Sequence, residues 1–288
     1  SLVAIGFVLI FRATDVLSFA QPAMVVVGAG FISYFATQLG IPFIFAFIIG
    51  IILTGLLGFI LERTFLRPMV GEPVFSVAVL TIGIDILLRV VLDNWIGINP
   101  KYMGDPFPSY GNFGSLDIGG LTVKYLEVTA LITSLVLISI LSVFFKRSKY
   151  GVAMRATSLD QEAALAQGIN VGRVFGLVWF IAGLLAAFAG FFITGGFNTL
   201  TNTSFISALR ALPAVVIGGL DSITGAIIGS LIIGLTQAYV GYYQFDIESA
   251  YNIKLGNGFS IVAPYLIMFV ILLVKPHGLF GTEEVERV

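Results

Sequence analysis

The chain has 288 residues, of which 58% are hydrophobic and only 11% are charged, and its mean hydropathy is +1.02. A soluble domain carries roughly a quarter charged residues, so this composition indicates a membrane protein. The net charge of −1 offers nothing to attract nucleic acid, and the lack of cysteine with a single histidine argues against disulfides and metal sites. The sequence has no GxxxxGK[ST] phosphate loop, so we expect no ATP site of that kind on this chain.

Apolar runs long enough to cross a membrane, about 17–25 residues, recur along the whole chain. The first ends before Ala13 and is expected to be incomplete, since the chain opens at Ser1. The other predicted spans are 22–38, 42–61, 73–92, 125–145, 174–194, 223–243 and 260–274. The stretch 205–219 is too short and too interrupted for a full crossing. The predicted fold is therefore an all-α polytopic membrane protein, a single transmembrane domain over 1–288 with about eight spanning helices and one broken or re-entrant segment.

The basic residues divide unevenly between the two sides of these spans. One side carries Arg63, Arg67, Lys146, Arg147, Lys149, Arg155, Arg173, Lys275 and Arg287, and the other carries only Lys101, Lys124 and Lys254. Lys and Arg collect in cytoplasmic loops, so this predicts an external loop at 93–123, a cytoplasmic loop at 146–172 and a cytoplasmic tail at 275–288. The end of the external loop predicts a β-hairpin turning at Gly119-Gly120. That loop is interpreted either as a passive cap or as a docking surface for an external partner.

Two regions cannot be ordinary spanning helices. Residues 13–22 place polar side chains and a proline in an apolar setting, and residues 207–222 carry an arginine, a proline and paired glycines. Residues 22–28 and 213–218 also resemble each other, as broken helices in transporter repeats do. Backbone freed from a helix cannot face lipid, so both regions are candidates for the translocation path. The predicted path residues are Ser18, Phe19, Gln21, Pro22, Arg210, Pro213, Gly218, Gly219 and Asp221.

Three ionisable residues are predicted inside or near apolar spans. Asp85 and Arg89 are four residues apart, so they share a helix face and can pair. An ion pair that offsets its own insertion cost is the first interpretation, and a substrate site is the second. Arg210 lies in the middle of the second broken region, which favours the path or a subunit interface over snorkelling to the membrane surface.

A short polar helix is predicted at 159–167, inside the cytoplasmic loop. Ser158 with Gln161 fits a capping box, Thr157 with Asp160 is the alternative register, and Gly168 fits the helix stop. The apolar face is weak, and this favours docking to a protein over lying on the membrane surface. The residues expected to contact that protein are Leu159, Asp160, Glu162, Ala163, Ala164 and Gly168.

The motif Glu162-Ala163-Ala164-x-x-x-Gly168 resembles the EAA loop of ABC importer permeases. Nearly the whole chain resembles the LivH-type permease subunits of branched-chain amino acid ABC importers. The similar stretches, in order, are Ala4-Ile5-Gly6-Phe7, Glu62-Arg63-x-x-x-Arg67-Pro68, Ala164-x-x-x-Gly168-Ile169-Asn170-x-x-Arg173-Val174, Ala214-Val215-x-x-Gly218-Gly219, and Lys275-Pro276-x-Gly278-Leu279-Phe280-Gly281 with Glu284-Val285-Glu286-Arg287-Val288. The resemblance implies a bacterial inner-membrane permease that pairs with a second permease chain, two cytoplasmic ATPases holding ATP and Mg²⁺, and an external solute-binding protein.

Two departures from that family lie in or beside the predicted path. The family usually has Asn-Phe-Ala-His-Gly where this chain has Ser18-Phe19-Ala20-Gln21-Pro22, and Asp221 replaces a glycine of the family's Gly-Gly-x-Gly-Ser motif. The leading hypothesis is an ABC importer permease for a branched-chain amino acid or similar small amphipathic solute. The alternatives are an ion-coupled secondary transporter, with Asp85 or Asp15 as the coupling acid, and a channel-like facilitator for urea or an amide. No convergent set of nucleophile, base and metal ligands predicts an enzyme.

Overall fold

The computed structural model describes residues 1–97, 101–103, 115–118, 121–195, 199–201, 204–252, 254, 256 and 258–281. Twelve α-helices and one β-hairpin account for most of them. They are α1 Leu2–Thr14, α2 Gln21–Ser33, α3 Phe43–Leu61, α4 Val74–Ile96, β1 Ser115–Ile118, β2 Leu121–Lys124, α5 Tyr125–Arg147, α6 Lys149–Leu159, α7 Gln161–Ala166, α8 Val171–Thr194, α9 Ser204–Leu209, α10 Ala211–Gly218, α11 Ile223–Tyr251 and α12 Phe259–Val274.

The helices confirm the predicted all-α polytopic class. In the described part of the chain, five are long and apolar enough to cross a membrane: Phe43–Met69, Val74–Trp95, Tyr125–Arg147, Val171–Thr194 and Ile223–Ala250. The first of them is α3 continued by the π turn Glu62–Leu66 and the 3₁₀ turn Arg67–Met69. Shorter apolar helices at Leu2–Thr14, Ser204–Gly218 and Phe259–Val274 complete the set. The chain is therefore a multi-pass membrane protein.

Helices α1, α2 and α8 form the centre of the bundle. Residues 2–10 of α1 are all buried, as is nearly all of α2. Small residues allow this close packing: a Cβ on Gly190 of α8 would lie 2.1 Å from the Val25 carbonyl oxygen of α2. Helix α5, by contrast, has a single buried residue, Leu126, and faces outward along its length.

The bundle has two distinguishable ends. At one end, called here the hairpin end, β1 pairs with β2 in an antiparallel register that joins Ile118 to Leu121, as predicted. The backbone of Lys101 also bonds to that of Leu200 there, and Ser33 at the end of α2 donates to the Tyr102 carbonyl at 2.7 Å. The other end, called the α7 end, gathers the ends of α1, α3 and α5 with α6, α7 and the start of α8. The Gly119-Gly120 turn and the tail residues 282–288 lie outside the described residues.

Candidate functional site

The first helix break separates α1 from α2 at the centre of the bundle. Helix α1 ends at Thr14, Asp15 adopts a left-handed backbone (φ 54°), and α2 begins at Gln21 with Pro22 in its first turn. Gln21 is completely buried, and its Nε2 donates to the Ala182 carbonyl at 3.2 Å. Because Ala182 lies halfway along the 24-residue α8, the start of α2 lies at mid-depth in the bundle, while Asp15 lies nearer the α7 end, in a cavity lined also by Gln161.

Polar atoms at this break lack hydrogen-bond partners among the described residues. Ser18 is 1% exposed, and neither its Oγ nor the Oε1 of Gln21 is bonded. A buried polar group left unpaired costs about 1–3 kcal/mol, so such groups are kept where something else binds them. The break therefore presents one hydroxyl and one amide oxygen to whatever enters it.

The second break divides the predicted segment 205–219 into α9 and α10 at Arg210. Arg210 is half-buried, caps α10 and leaves its Nε without a partner in the described part of the chain. Pro213 is buried three residues further on. These two predicted path residues thus lie together at the break, as Ser18, Gln21 and Pro22 do at the first.

The glycines that end α10 have a different environment. Residues 278–281 fold back on them, and the amides of Leu279 and Phe280 donate to the Ile217 and Gly218 carbonyls at 2.8 and 3.0 Å. Gly219 has φ 102°, and a Cβ there would lie 2.4 Å from the Gly281 nitrogen. We call this contact of 278–281 with 217–219 the C-terminal clasp. It gives Gly218 and Gly219 a packing role and leaves no space beside them for a solute.

Asp221, the last predicted path residue, lies at the α7 end. It lines a cavity of about 440 Å³ together with Arg12, Lys146, Arg155 and Ser222. Arg12 and Asp221 attract each other electrostatically there. The predicted set is therefore distributed over four places: the two breaks, the C-terminal clasp and this basic cavity.

A polar stripe on α4 connects the two breaks. Thr81, Asp85 and Arg89 are spaced by four and lie on one helix face. Thr81 Oγ1 accepts the Phe19 amide of the first break at 3.0 Å, and Asp85 forms an ion pair with Arg89. The Arg89 guanidinium in turn lies 4.1 Å from the ring centroid of Phe205 in α9. The ion pair expected from the sequence is present, and the stripe that contains it also contacts both helix breaks, which the sequence did not indicate.

Helix α7 begins at Gln161, two residues later than the predicted start at Leu159. Ser158 lies inside α6, whose last residue is Leu159, and the N-cap of α7 is Asp160. Its backbone is extended (φ −162°, ψ 110°), which ends α6 and frees the side chain to accept the Ala163 amide at 2.9 Å. The capping box at Ser158 is therefore wrong, because Ser158 has no free first turn to cap.

The end of α7 and the start of α8 match their sequence signals. Gly168 adopts φ 80°, and its amide and that of Ile169 donate to the Leu165 and Ala164 carbonyls at 2.9 and 3.0 Å. This is the Schellman arrangement, which requires a left-handed residue at Gly168. Asn170 then caps α8 by accepting the Arg173 amide at 3.0 Å.

Two large apolar side chains and a glutamate are among the exposed residues of this region. Leu159 is 88% exposed and Leu165 57% exposed, and Glu162 between them is exposed as well. Ala164 faces inward and is buried. We call Leu159, Glu162 and Leu165 the α7 surface. It combines exposed apolar area with one negative charge, which suits docking to another protein.

We call the ion pair of Glu62 and Arg67, beneath the α7 surface, the ionic anchor. In the sequence these two residues were noted only as part of a family resemblance. Glu62 is 1% exposed, and its carboxylate accepts two bonds from Arg67, at 3.1 and 3.0 Å. Arg67 also donates to the Gly172 carbonyl in the first turn of α8, at 2.6 Å. The anchor ties the end of α3 to the segment that follows α7. Its signal in the sequence was a pair of opposite charges at the end of an apolar span.

Similarity to known proteins extends over nearly the whole chain. The family described as "Branched-chain amino acid transport system / permease component" matches residues 1–274. The chain is 26% identical to the high-affinity branched-chain amino acid transport system permease protein BraD of Pseudomonas aeruginosa, over 100% of this chain and 93% of that protein. It is 28% identical to the corresponding permease LivH of Salmonella typhimurium, over 100% and 93%. It is 29% identical to the probable permease LivH of Methanocaldococcus jannaschii, over 98% and 88%. No solved structure matches the chain.

Proposed function

The chain belongs to the family of branched-chain amino acid transport system permease components, and from this premise we propose that it forms part of the translocation path of an ABC importer. The solute is a branched-chain amino acid or a similar small amphipathic molecule. The driving force is ATP hydrolysis on separate subunits, and this chain itself binds neither ATP nor Mg²⁺. Among the described residues, no group of three His, Asp or Glu side chains is arranged to hold a metal ion.

The first helix break carries this proposal. Non-helical backbone at membrane depth is tolerated only where it is buried in protein or lines a cavity. Residues 15–20 are such a segment, and Ser18 and Gln21 bring unpartnered polar atoms to it. The start of α2 adds the positive end of a helix dipole, which favours a solute carboxylate. Phe19, Pro22, Arg210 and Pro213 complete the proposed path.

The α7 surface is the proposed contact with the ATPases. Leu159, Glu162 and Leu165 project from the bundle, and the neighbouring coupling residues Asp160, Ala163, Ala164 and Gly168 set the limits and packing of α7. The Glu62–Arg67 anchor joins the end of α3 to the first turn of α8, which directly follows α7, so displacement of α7 would be passed to both helices. A secondary transporter or a facilitator would leave this surface without a role.

The remaining partners follow from the same proposal. A second permease chain, identical or related, pairs with this one in the lipid, two ATPases dock at the α7 end, and an external solute-binding protein docks at the hairpin end. The excess of Lys and Arg at the α7 end supports a cytoplasmic position for that end and for the C-terminus. In a bacterial cell the membrane is the inner membrane, and no nucleic acid is involved.

A matched pair of charge reversals tests the driving force. Glu162 and Glu127 are both acidic residues in the first turn of a helix, at opposite ends of the bundle. We expect Glu162→Lys to lower ATP-dependent uptake of L-leucine at least about tenfold, since a reversed charge at a docking surface costs several kcal/mol. Glu127→Lys is the stability control for the loss of a helix-dipole interaction, which costs about 0.3–1 kcal/mol in either variant. The two variants are compared by thermal midpoint, because Glu127 lies at the hairpin end, where the binding protein is proposed to dock.

The measurement uses proteoliposomes that hold the permease with its ATPases, supplied with the binding protein. Equal amounts of inserted protein and equal thermal midpoints are required of both variants. Full uptake by Glu162→Lys would overturn the assignment of the α7 surface. Uptake that survives removal of ATP and collapses with an ion gradient would overturn the ABC mechanism itself.

A further inference from the structure

The basic cavity lies at the α7 end, where α1, α5, α6 and α11 meet. Phe280 of the C-terminal clasp closes part of its wall. Its volume of about 440 Å³ falls within the range of about 300–1,000 Å³ that is usual for small-molecule sites. The proposed transport function assigns no role to this cavity, so its chemistry has to be explained separately.

The turn between α5 and α6 brings two cations to the wall. Arg155 donates from Nη1 to the carbonyl of Phe145, the residue directly before Lys146, and both basic side chains line the cavity. Gly151 permits this tight turn, because a Cβ there would lie 2.1 Å from the Phe145 carbonyl oxygen. Ser148 completes the turn by accepting the Gly151 amide at 3.0 Å. The fold therefore fixes two positive charges at one side of the cavity.

Positive charge exceeds negative charge in the described part of the wall. Arg12, Lys146 and Arg155 are basic, and Asp221 is acidic. Asp221 attracts Arg12, while Arg155 lies close enough to Arg12 to repel it. One carboxylate balances one of the three cations, and the charges at the α5–α6 turn remain. An anion between them would relieve the repulsion, because opposite charges at such distances attract.

The start of α11 adds neutral donors to the same cavity. The first N–H groups of a helix have no partner within it, and the dipole of this 29-residue helix is positive at that end. Thr224 contributes a hydroxyl to the wall. Arginine, lysine and a helix N-terminus are the groups that bind phosphate in proteins. Donors on several sides suit a phosphate group better than a planar carboxylate.

The source of that phosphate follows from the surroundings of α5. This helix is one of the membrane spans, and its one buried residue is Leu126, so lipid can lie along it up to the turn at Lys146. Basic residues just beyond the end of a span attract anionic headgroups. Phe145 and Met154 supply apolar surface beside the cations. A headgroup can therefore reach the cavity while its acyl chains stay in the bilayer.

We propose that the basic cavity binds the phosphate group of an anionic phospholipid, held by Lys146, Arg155 and the start of α11, with the acyl chains along α5. This inference goes beyond the proposed function and does not rest on it, because it concerns a lipid and not the transported solute. A lipid bound there joins the outward-facing α5 to α1 and α11.

Native mass spectrometry of the purified full chain measures this binding. The probes are phosphatidylglycerol and phosphatidylcholine with the same acyl chains. We expect one molecule of phosphatidylglycerol to bind in preference to phosphatidylcholine, by about fivefold for each of the two basic side chains that face the headgroup. Equal affinity for the two lipids would overturn the site.

Variants of the α5–α6 turn separate the cavity from the general charge of the surface. Lys146→Gln and Arg155→Gln should each weaken phosphatidylglycerol binding about fivefold. Arg155→Lys keeps the charge and should keep most of the affinity, which excludes a purely structural effect of the lost bond to Phe145. Lys149→Gln is the matched control, since this residue lies in the same turn but outside the wall. Equal losses from Lys149→Gln and Lys146→Gln would overturn the proposal.

Two further measurements distinguish other occupants. Inorganic phosphate at millimolar concentration should not displace the lipid, and displacement would assign the cavity to a soluble phosphate compound instead. Glutamates follow Gly281 in the sequence, at Glu283, Glu284 and Glu286, so a chain that ends at Gly281 is measured as well. Selective lipid binding found only in that shortened chain would mean that the acidic tail competes for the cavity, and the full chain would then hold no lipid there.

Discussion

The two helix breaks resemble each other in sequence, but the fold supplies different hydrogen-bond partners around them. Each has a polar residue and a proline close to the start of a helix, Gln21 and Pro22 at α2, and Arg210 and Pro213 at α10. Helix α2 ends at the hairpin end, where Ser33 bonds to Tyr102, while α10 ends at the α7 end in the C-terminal clasp. The two segments thus run in opposite directions, as inverted repeats do.

The difference lies in which polar groups find hydrogen-bond partners. The second break also leaves Arg210 Nε without a partner in the described residues, but the end of α10 receives backbone donors from Leu279 and Phe280. At the first break, Phe19 donates to the Thr81 hydroxyl and Gln21 donates to the Ala182 carbonyl, while Ser18 Oγ and Gln21 Oε1 stay without partners in the described residues. The end of α10 is therefore held by the chain itself, whereas the first break has unpaired polar atoms that a solute in the proposed path can bind.

The largest expected effect comes from the stripe that joins the breaks. Arg89→Leu would leave Asp85 buried without its partner, which costs about 3–5 kcal/mol for a buried pair. It also removes the contact with Phe205, so the two breaks lose their connection through α4. We expect a large drop in the thermal midpoint of the purified permease.

The double variant Asp85→Leu/Arg89→Leu is the control, because it removes both charges of the ion pair together. It should recover most of the midpoint, because no unpaired charge is left buried. If the single Arg89→Leu variant melts like the wild type, the stripe does not hold the breaks together.

The second effect tests the tight packing at the end of α10. A Cβ on Gly218 would lie 2.2 Å from the Gly225 carbonyl carbon, a backbone atom that cannot rotate away. Gly218→Ala should therefore cost about 1–3 kcal/mol from overpacking. Gly83→Ala in α4 is the matched control, since nothing lies within 4 Å of its Cβ position and alanine favours the helix by up to about 1 kcal/mol. Equal thermal midpoints for the two variants would contradict the packing role.

Local sequence signals were enough to locate the spans and the breaks. Proline and glycine mark where helices begin and end, so α8 and α12 end at their predicted limits, and Arg210 divides the segment predicted as broken. Helix α11 begins at Ile223 as predicted but continues to Tyr251, past its predicted limit at 243. The hairpin at 115–124 and the Asn170 cap of α8 also follow from neighbouring residues alone. Each of these features depends on side chains within about four positions of one another.

Contacts between distant parts of the chain could not be predicted in this way. The C-terminal clasp joins residues about sixty positions apart, and Arg67 bonds a carbonyl 105 residues away. Even the α7 cap was predicted wrongly: Ser158 and the alternative Thr157 both lie inside α6, and the extended backbone at Asp160 makes that residue the cap. The sequence therefore grouped Gly218 and Gly219 with Arg210, although only the fold shows which of them has a protein partner.

The smallest effect is expected from replacing one serine by alanine, either Ser18 at the first break or Ser222 in the turn between α10 and α11. Ser222 caps α11 by accepting the Gly225 amide at 3.0 Å, so Ser222→Ala should cost about 1 kcal/mol and lower the thermal midpoint slightly. Ser18→Ala removes a buried hydroxyl that has no partner among the described residues, so the midpoint should stay the same or rise. Uptake should respond in the opposite order: Ser18→Ala raises the KM for the solute, because the proposed path places this hydroxyl against the solute, and Ser222→Ala leaves the KM unchanged. A Ser18→Ala variant that loses stability and keeps its KM would mean that the first break is completed by protein, as the end of α10 is.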